Sequence, residues 1–221
     1  MEIRIQPSIL SADFVNFQKD FESISAADGI HVDVMDGHFV PNLTFGLPMV
    51  KRMQEISKLP LDVHLMIENP DYWAPKYAEL ELFSVTVHFE ALRDATATAR
   101  AIKAAGSRAG LAIKPKTELS AISDIVHEFD QLLIMSVEPG FGGQSFIQSS
   151  IGKAREAIAL LREINSSIWL QMDGGIDETN IAALAQVGVD TFVAGSAVFK
   201  EIDRNARINL LRSLAEGASK N

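Results

Sequence analysis

Two side chains that commonly bind metal ions lie two residues apart in the first part of the chain. The segment from His31 to Met35 reads as a β-strand, and its alternation places His31, Asp33 and Met35 on one face. A buried carboxylate without a partner costs several kcal/mol or more. Asp33 therefore needs a compensating group, and the neighbouring imidazole of His31 indicates that this group is a cation.

Polar groups of the same kind occur in later apolar segments. His64 lies in one of them and Asp173 ends another. Together His31, Asp33, His64 and Asp173 offer two imidazoles and two carboxylates, which suit a divalent metal ion. The alternative is a set of buried polar residues that hydrogen-bond one another, because the spacing lacks the short Cys/His pattern of structural zinc sites.

Three methionines, Met35, Met66 and Met135, occupy matching positions in three of the apolar segments. Methionine commonly fills gaps in cores, so simple packing is one interpretation of all three. The other interpretation is an uncharged, polarisable lining of a substrate pocket, which does not compete with the carboxylates for a metal ion.

Glycine-rich segments follow three of the apolar segments. They are 138–144, with Gly140, Phe141, Gly142 and Gly143, then Gly174-Gly175, and finally Gly195-Ser196. Glycine lets the backbone approach a phosphate closely, and a long glycine-rich loop can close over a substrate. Flexible connections are the alternative interpretation. Because backbone N–H groups at helix N-termini bind phosphate without basic side chains, these segments favour a phosphorylated ligand.

The elements that must position these residues alternate between strand-like and helix-like segments. The strand-like segments are 5–10, 30–35, 61–66, 83–88, 109–113, 131–137, 168–172 and 191–194. The helix-length segments are 14–27, 47–57, 72–80, 92–105, 118–127, 147–165, 178–187 and 204–217. Strands that alternate with helices pair in parallel through right-handed crossovers. Eight such units predict an α/β fold, the (β/α)8 TIM barrel.

A barrel of this kind places its chemistry at the carboxyl ends of its strands, where the candidate residues fall. An open, doubly wound sheet is the alternative, but it normally has a glycine-rich loop after its first strand. Here Ser11-Ala12-Asp13 follows instead and is typical of a helix cap. Since no linker or low-complexity segment divides the 221 residues, we expect one catalytic barrel domain over 1–221.

The composition narrows the class of ligand. The formal net charge of −9 argues against a nucleic-acid or anionic-membrane partner, but not against a phosphorylated small molecule. Because cysteine is absent, the sequence excludes disulfides, thiolate ligands and a thiol nucleophile. We find neither a secretion signal nor an apolar run long enough to span a membrane, and we expect a cytoplasmic protein.

Several motifs, taken together, resemble the ribulose-phosphate 3-epimerase family. They are PSILSADF at 7–14, HVDVMDGHFVPN at 31–42, DVHLM at 62–66, EPGFGGQ at 138–144, DGGI at 173–176 and GSA at 195–197. Their order and spacing match from about residue 6 to residue 199. The resemblance implies a (β/α)8 barrel, a divalent metal ion, and interconversion of D-ribulose 5-phosphate and D-xylulose 5-phosphate in the pentose phosphate pathway.

The resemblance also implies roles by position. It places the metal ligands at His31, Asp33, His64 and Asp173, and the catalytic acid/base pair at Asp33 and Asp173. It places the substrate-binding positions at Ser8, His64, Gly140, Phe141, Gly142, Gly143, Asp173, Gly174, Gly175, Ile176, Gly195 and Ser196. One departure precedes Asp173, where Gln171-Met172 replaces the family's frequent Glu-Val.

Epimerisation next to a ketone requires removal of a proton from one face and delivery of another to the opposite face, which two carboxylates can do. A metal ion on the C2 carbonyl and C3 hydroxyl oxygens would stabilise a cis-enediolate. We expect one divalent ion per chain, Zn²⁺ first, although Fe²⁺, Mn²⁺ and Co²⁺ suit the same ligands. We also expect a homo-oligomer.

Three other functions stay open at this point. D-allulose 6-phosphate could be epimerised at C3 by the same site. A decarboxylase of the orotidine-monophosphate kind is a more distant alternative, because that group has lysine where this chain has Met35. A non-catalytic barrel that binds sugar phosphates is the third, and the presence of both Asp33 and Asp173 argues against it.

Overall fold

The computed structural model describes residues 2–164 and 167–220, within which eight parallel strands form one sheet. The strands are β1 (Arg4–Gln6), β2 (Ile30–Met35), β3 (Leu61–Met66), β4 (Ser84–His88), β5 (Arg108–Ile113), β6 (Gln131–Met135), β7 (Trp169–Asp173) and β8 (Thr191–Val193). β1 pairs with β8. On its other side the sheet closes just beyond β1, where Ser8 bridges His31 and the His31 N–H donates to the Pro7 carbonyl at 3.0 Å. The predicted barrel fold is confirmed.

Helices connect most of the strands and surround the sheet. They are α1 (Phe17–Glu22), α2 (Leu47–Ile56), α3 (Pro70–Ala78), α4 (Ala95–Ala104), α5 (Ser150–Glu163), α6 (Ile181–Val187), α7 (Ser196–Phe199) and α8 (Arg204–Ser219). Their boundaries follow local capping: Asp94 accepts from the Ala97 N–H at the start of α4, and Gly188 ends α6 with a φ of 115°. None of the described helices combines the length and the apolar character needed to cross a bilayer.

Predicted elements over 14–27, 118–127 and 5–10 need correction. In the first, only Phe17–Glu22 forms a helix. The helix predicted over 118–127 is wrong, because this segment forms two short 3₁₀ turns, Leu119–Ala121 and Val126–Glu128. Ser123 Oγ donates to the Ser120 carbonyl at 3.1 Å, and such side-chain hydrogen bonds compete with those of a helix. The end of the helix predicted over 147–165, Asn165, lies outside the described residues.

The first strand is also shorter than the predicted 5–10. Ser8 Oγ accepts a hydrogen bond from the Leu10 N–H at 3.2 Å and caps a 3₁₀ turn over Ile9–Ser11. The helix α7, which directly follows β8, was not predicted, because four residues carry too little periodicity to be recognised.

The two faces of the strands carry different side chains. Outward-facing residues such as Val32, Val63 and Leu111 are fully buried and belong to the largest apolar cluster, which lies between the sheet and the helices. The inward-facing residues include many buried polar ones: Gln6, Ser8, His31, Asp33, Asp62, His64, Ser84, Thr86, His88, Gln131, Gln171 and Thr191. Smaller apolar clusters, one with Leu133 and Met135 and one with Met35 and Met66, share the interior with them. The largest apolar burial, outside the barrel, therefore supplies most of the stability.

Candidate active site

Four side chains from three strands converge toward the carboxyl end of the barrel. His31 and Asp33 lie on β2, His64 lies on β3, and Asp173 ends β7. Pairing of β2 with β3 aligns Asp33 with His64. One ligand atom from each of the four residues lies within 4.8 Å of the other three. The structure thus brings together all four residues that the sequence predicts as metal ligands.

The four ligand atoms face one another at short range. His31 Nε2 lies 3.3 Å from Asp33 Oδ1 and 3.9 Å from Asp173 Oδ2. His64 Nδ1 lies 3.3 Å and 4.0 Å from the same two oxygens. Ser8 Oγ donates to the other Asp33 oxygen, Oδ2, at 2.6 Å. Ser8 therefore orients the Asp33 carboxylate so that Oδ1 faces the cluster.

The two aspartates differ in their affinity for a proton. Burial by itself favours the neutral form of a carboxyl group. At Asp33, the positive charge of His31 outweighs burial and holds the pKa well below its usual range. At Asp173, burial and the nearby charge of Asp33 raise the pKa to about 7. Without a cation, the cluster therefore favours one ionised and one protonated carboxyl group.

The donor set fits a divalent cation. His31 Nδ1 lies 2.8 Å from Asp62 Oδ2 deep in the barrel, whereas His31 Nε2 is buried and has no hydrogen-bond partner among the described residues. A carboxylate on one ring nitrogen holds a proton there, and a metal ion at the other nitrogen would displace the second proton, which gives His31 its charge in the metal-free chain. His31 Nε2 therefore completes a set of ligands for a dication. The other members are His64 Nδ1 and the carboxylates of Asp33 and Asp173.

A buried hydrogen-bonded layer holds Asp62 in place beneath this cluster. Ser84 Oγ donates to Asp62 Oδ1 at 2.5 Å, and Gln171 Nε2 donates to Asp62 Oδ2 at 2.7 Å. Gln171 Nε2 also contacts Gln6 Oε1, and Gln171 Oε1 accepts from Gln131 Nε2, both at 2.6 Å. A carboxylate at position 171 could not donate to Asp62, so the glutamine found here suits its neighbours.

A cavity opens above the cluster, with about 540 Å³ of empty space including its open mouth. Its lining contains both aspartates and these predicted residues: Ser8, Met35, Met66, Met135, Gly140, Phe141, Gly142, Gly143, Gly174, Gly175, Ile176, Gly195 and Ser196. His31 and His64 are fully buried beneath it. All predicted substrate-binding and pocket-lining residues except His64 therefore line one cavity.

The three methionines contribute to packing and to the cavity wall at once. Met35 and Met66 are paired across β2 and β3 and pack with Val40, while Met135 packs with Leu133 on β6. Each also lines the cavity. The two interpretations of these residues are therefore compatible.

The glycines around the cavity differ in whether the backbone conformation and the surrounding atoms require glycine. Gly174 and Gly175 have φ values of 118° and 66°, and a Cβ at Gly174 would lie 2.6 Å from Val137 Cγ2. Gly142 has no positive φ, and a Cβ there would meet Leu10 at an ordinary 3.6 Å. The fold itself requires glycine at Gly174 and Gly175 but tolerates a small side chain at Gly142.

Several residues at the site were not predicted. Leu10, Ser11 and Val137 line the cavity, although they carry no chemical signature in the sequence. Asp62 was not recognised as the partner of His31. Its signal was present, because Asp62 lies two residues before His64 and therefore shares the inward face of β3.

Comparison with known proteins places this geometry in a family. A model described as the ribulose-phosphate 3 epimerase family matches residues 4–199. A protein named ribulose-phosphate 3-epimerase from Mycobacterium tuberculosis is 48% identical over 215 residues, covering 97% of this chain and 94% of the relative. A protein of the same name from Helicobacter pylori is 39% identical and covers 97% of this chain and 99% of its own length.

Solved structures of low sequence identity share the fold. 3-Hexulose-6-phosphate synthase from Salmonella typhimurium has a TM-score of 0.71 at 16% identity, covering 98% of this chain and 100% of that chain. KGPDC from Streptococcus mutans has a TM-score of 0.75 at 11% identity, with 99% of both chains covered. These neighbours support the barrel alone, whereas the family match and the relatives go further: the chain is an enzyme that belongs to the ribulose-phosphate 3-epimerase family.

Proposed function

We propose that this enzyme inverts C3 of a ketose phosphate and interconverts D-ribulose 5-phosphate and D-xylulose 5-phosphate in the pentose phosphate pathway. The observation that carries the proposal is the group of two imidazoles and two carboxylates, with ligand atoms within 4.8 Å of one another, at the base of a cavity lined by glycine-rich loops. The names of the relatives support the same activity.

His31, Asp33, His64 and Asp173 would hold one divalent ion, for which Zn²⁺ is the first candidate and Fe²⁺, Mn²⁺ and Co²⁺ are alternatives. When bound, such an ion supplies positive charge that stabilises the negative charge on the substrate oxygens as the C3 proton leaves. The hydrogen bond between His31 and Asp62 and the one between Ser8 and Asp33 would orient two of the ligands before substrate arrives.

Asp33 and Asp173 act as the acid/base pair in this proposal. Asp33, the stronger acid of the two, is ionised and takes the C3 proton of ribulose 5-phosphate on one face. Asp173 carries a proton and gives it to C3 on the opposite face, which yields xylulose 5-phosphate. The separation of their pKa values in the metal-free chain supports these roles. In the reverse reaction the two residues exchange roles.

The cavity rim would bind the phosphate and cover the substrate. We assign the phosphate to the main chain of three loops: Gly140 to Gly143 after β6, Gly174 to Ile176 after β7, and Gly195 and Ser196 after β8. The loops after strands seven and eight are a common phosphate site in barrels. Asn42 Nδ2 donates to the Gly140 carbonyl at 2.9 Å, which ties the loop after β6 to the loop after β2. Phe141, 55% exposed on the same loop, could then close over a bound sugar.

Turnover measurements test this proposal. We expect a higher kcat/KM for ribulose 5-phosphate than for allulose 6-phosphate, and the reverse preference would reassign the substrate. Elemental analysis of gently purified protein should give about one divalent ion per chain. Binding of ribulose 5-phosphate without turnover by metal-loaded protein would instead support the non-catalytic barrel. Less than a tenth of an equivalent of metal, with activity unaffected by strong chelators, would overturn the metal assignment.

A homo-oligomer and a cytoplasmic location belong to the same proposal. Phe14, Val15 and Met49 are exposed apolar side chains at one groove beside α1 and α2, and contact with a second chain would remove them from water. Phosphorylated sugars carry charge and do not cross membranes freely, which supports a location in the compartment where they are made. Sedimentation and cell fractionation test these two points.

A further inference from the structure

A third histidine lies behind the metal-ligand candidates. His88, at the end of β4, is fully buried, and its ring centroid lies 5.0 Å from that of His64 with 29° between the ring planes. Its Nε2 lies 3.0 Å from His64 Nε2, and its Nδ1 lies 3.0 Å from Glu90 Oε2. A continuous line of contacts therefore runs from the ligand cluster through two imidazoles to a carboxylate.

The positions of the protons along this line can be deduced from the contacts. Glu90, when ionised, only accepts hydrogen bonds, so His88 carries a proton on Nδ1. A neutral His88 then has a lone pair on Nε2, and the hydrogen bond to His64 requires the proton between the two rings to belong to His64 Nε2. His64 Nδ1, which lies 3.3 Å from Asp33 Oδ1 and 4.0 Å from Asp173 Oδ2, then carries a lone pair that a cation between these groups can accept.

From this geometry we infer that His88 and Glu90 are positioning residues that hold His64 in the tautomer able to bind a metal ion through Nδ1. The inference rests on the proposed function, because it requires the metal site. Neither residue touches the ligand atoms themselves; both act through the far nitrogen of His64. Outer partners of this kind fix the orientation of a ligand and raise its basicity.

The surroundings of Glu90 hold its carboxylate for this purpose. Glu90 Oε1 accepts from Thr117 Oγ1 and, at 2.7 Å, from the Lys114 N–H, which leaves Oε2 directed at His88. Phe39 packs against the His88 ring with centroids 4.9 Å apart. Both partners of His88 are therefore fixed by groups outside the ligand cluster.

The two imidazole ligands show the same principle in different forms. His31 contacts Asp62 directly at 2.8 Å, whereas His64 reaches Glu90 only through His88. Each ring thus ends on a carboxylate at the nitrogen that points away from the cluster. This correspondence supports a shared purpose, because a buried histidine pair needed only for packing would not require a carboxylate at its outer end.

Metal affinity tests the role of His88. Dissociation constants for Zn²⁺ and Co²⁺ would be measured by competition with a chelator for the parent, His88→Phe and His88→Gln. Phenylalanine keeps the ring shape but accepts no hydrogen bond, so we expect affinity to fall by about 10- to 100-fold. The glutamine oxygen can accept from His64 Nε2, and His88→Gln should recover most of the loss. Thermal unfolding of the metal-free variants checks that each one folds.

Glu90→Gln tests the outer end of the line. The amide keeps an acceptor for His88 but removes the charge, so we expect a smaller loss of affinity, about tenfold or less. Glu128→Gln is the matched control, because Glu128 also lies near a histidine, His127 at 3.9 Å, but pairs with Arg100 on the surface. This control should leave metal affinity unchanged.

The tautomer of His64 gives a second readout that does not depend on activity. Nitrogen-15 NMR of the parent should assign the proton to Nε2, and His88→Phe should shift the metal-free ring toward the Nδ1–H form. An unchanged tautomer together with unchanged metal affinity in His88→Phe would overturn the inference. If the parent protein binds neither ion, the metal site itself is wrong. If the parent binds metal and His88→Phe binds it equally tightly, the metal site stands and only the role of His88 is wrong.

Discussion

The two ends of the barrel both place charged side chains in a restricted space, but they balance these charges in different ways. At the amino ends of the strands, Arg4, Arg108, Trp169, Asp130 and Asp190 form what we call the amino-end cluster. At the carboxyl ends, the candidate active site gathers two carboxylates and two imidazoles within 4.8 Å. The polar groups of the amino-end cluster stabilise the fold, whereas those of the candidate active site are arranged to bind a ligand.

The amino-end cluster satisfies most of its groups internally. Trp169 lies between two guanidinium groups, with Arg4 at 3.5 Å and Arg108 at 3.9 Å from its ring centroid. Arg108 donates to the Asp130 carbonyl at 2.8 Å, and Asp190 accepts from the Leu170 N–H at 3.2 Å. Arg108 Nε has no hydrogen-bond partner among the described residues, but its guanidinium lies against the indole ring.

The active site, by contrast, leaves its charges incompletely balanced. His31 Nε2 has no hydrogen-bond partner among the described residues although it is buried, and Asp173 reaches a pKa of about 7 because burial and Asp33 disfavour its charge. Unsatisfied groups of this kind cost stability unless a ligand compensates for them. Substitutions in the candidate active site should therefore reduce activity, and substitutions in the amino-end cluster should reduce stability.

The largest effect should come from Asp173→Asn. The amide is nearly isosteric with the carboxyl group but cannot carry a catalytic proton. General acid–base catalysis contributes roughly 10²- to 10⁴-fold, and weaker metal binding should add to the loss. We expect turnover to fall by several orders of magnitude, while the barrel stays folded and still binds substrate.

Isotope exchange distinguishes the two parts of this loss. With metal restored to saturation, Asp33 in the variant should still remove and return the C3 proton on its own face. Exchange in deuterated water should then outrun epimerisation, whereas the two stay coupled in the parent. Epimerisation at the parental rate would mean that Asp173 is at most a metal ligand.

At the other end, Trp169→Ala should reduce stability and leave catalysis unchanged. Loss of a fully buried aromatic side chain costs about 3–5 kcal/mol, and the partial exposure of Trp169 lowers our expectation to about 2–3 kcal/mol. Denaturant unfolding measures the loss, and kcat/KM per folded molecule should match the parent. Trp73→Ala, at a residue that is 40% exposed, serves as the control and should cost less. A large fall in kcat/KM for Trp169→Ala would show that the two ends are coupled.

Gly142→Val should affect substrate binding at the cavity more than folding. The backbone at Gly142 tolerates a Cβ, so the added side chain mainly obstructs the phosphate and closure of the loop. Because a small misplacement of substrate can cost about 10²-fold in rate, we expect a loss of that order in kcat/KM. Gly152→Val is the matched control, since a Cβ at Gly152 meets nothing within 4 Å. If Gly142→Val has the same kinetics as the parent, the loop after β6 only connects β6 to α5 and does not bind substrate.

The grouping of the four candidate metal ligands was predictable, because the alternation of a strand fixes which residues share a face. His31 and Asp33 follow that rule on β2, and His64 follows it on β3. Once the barrel is assigned, Asp173 must lie at the same end, since the carboxyl ends of parallel strands meet there. The prediction of the four metal ligands therefore depends on the alternation within each strand and on the assumption that the strands form a parallel barrel.

Other features could not be predicted because they depend on contacts between strands. The contact between His64 and His88 depends on the orientation of two rings on β3 and β4. Trp169 and Arg4 belong to β7 and β1, which are separated in the sheet by β8. A contact between long side chains that extend across an intervening strand leaves no periodic pattern in the sequence.

A pH dependence of stability, without any effect on catalysis, should arise in the amino-end cluster. Burial raises the pKa of Asp190 to about 6, from 3.8, despite hydrogen bonds from Thr191 and Leu170. Because the folded protein binds this proton more tightly than the unfolded chain, the contribution to stability is present below pH 3.8 and is lost as the pH rises through 6. One pKa unit corresponds to about 1.4 kcal/mol, which limits the effect to about 3 kcal/mol.

Comparison of the parent with Asp190→Asn isolates this contribution. Asp173 also has a raised pKa and its proton stabilises the fold in the same direction, but it is present in both proteins and cancels in the difference. We therefore expect the free energy of unfolding of the parent to fall, relative to Asp190→Asn, between pH 4 and pH 7, with no difference in kcat/KM at any pH in this range. Parallel stability curves for the two proteins would show that Asp190 titrates alike in both states. A difference in kcat/KM would instead show that the amino-end cluster influences the site at the opposite end of the barrel.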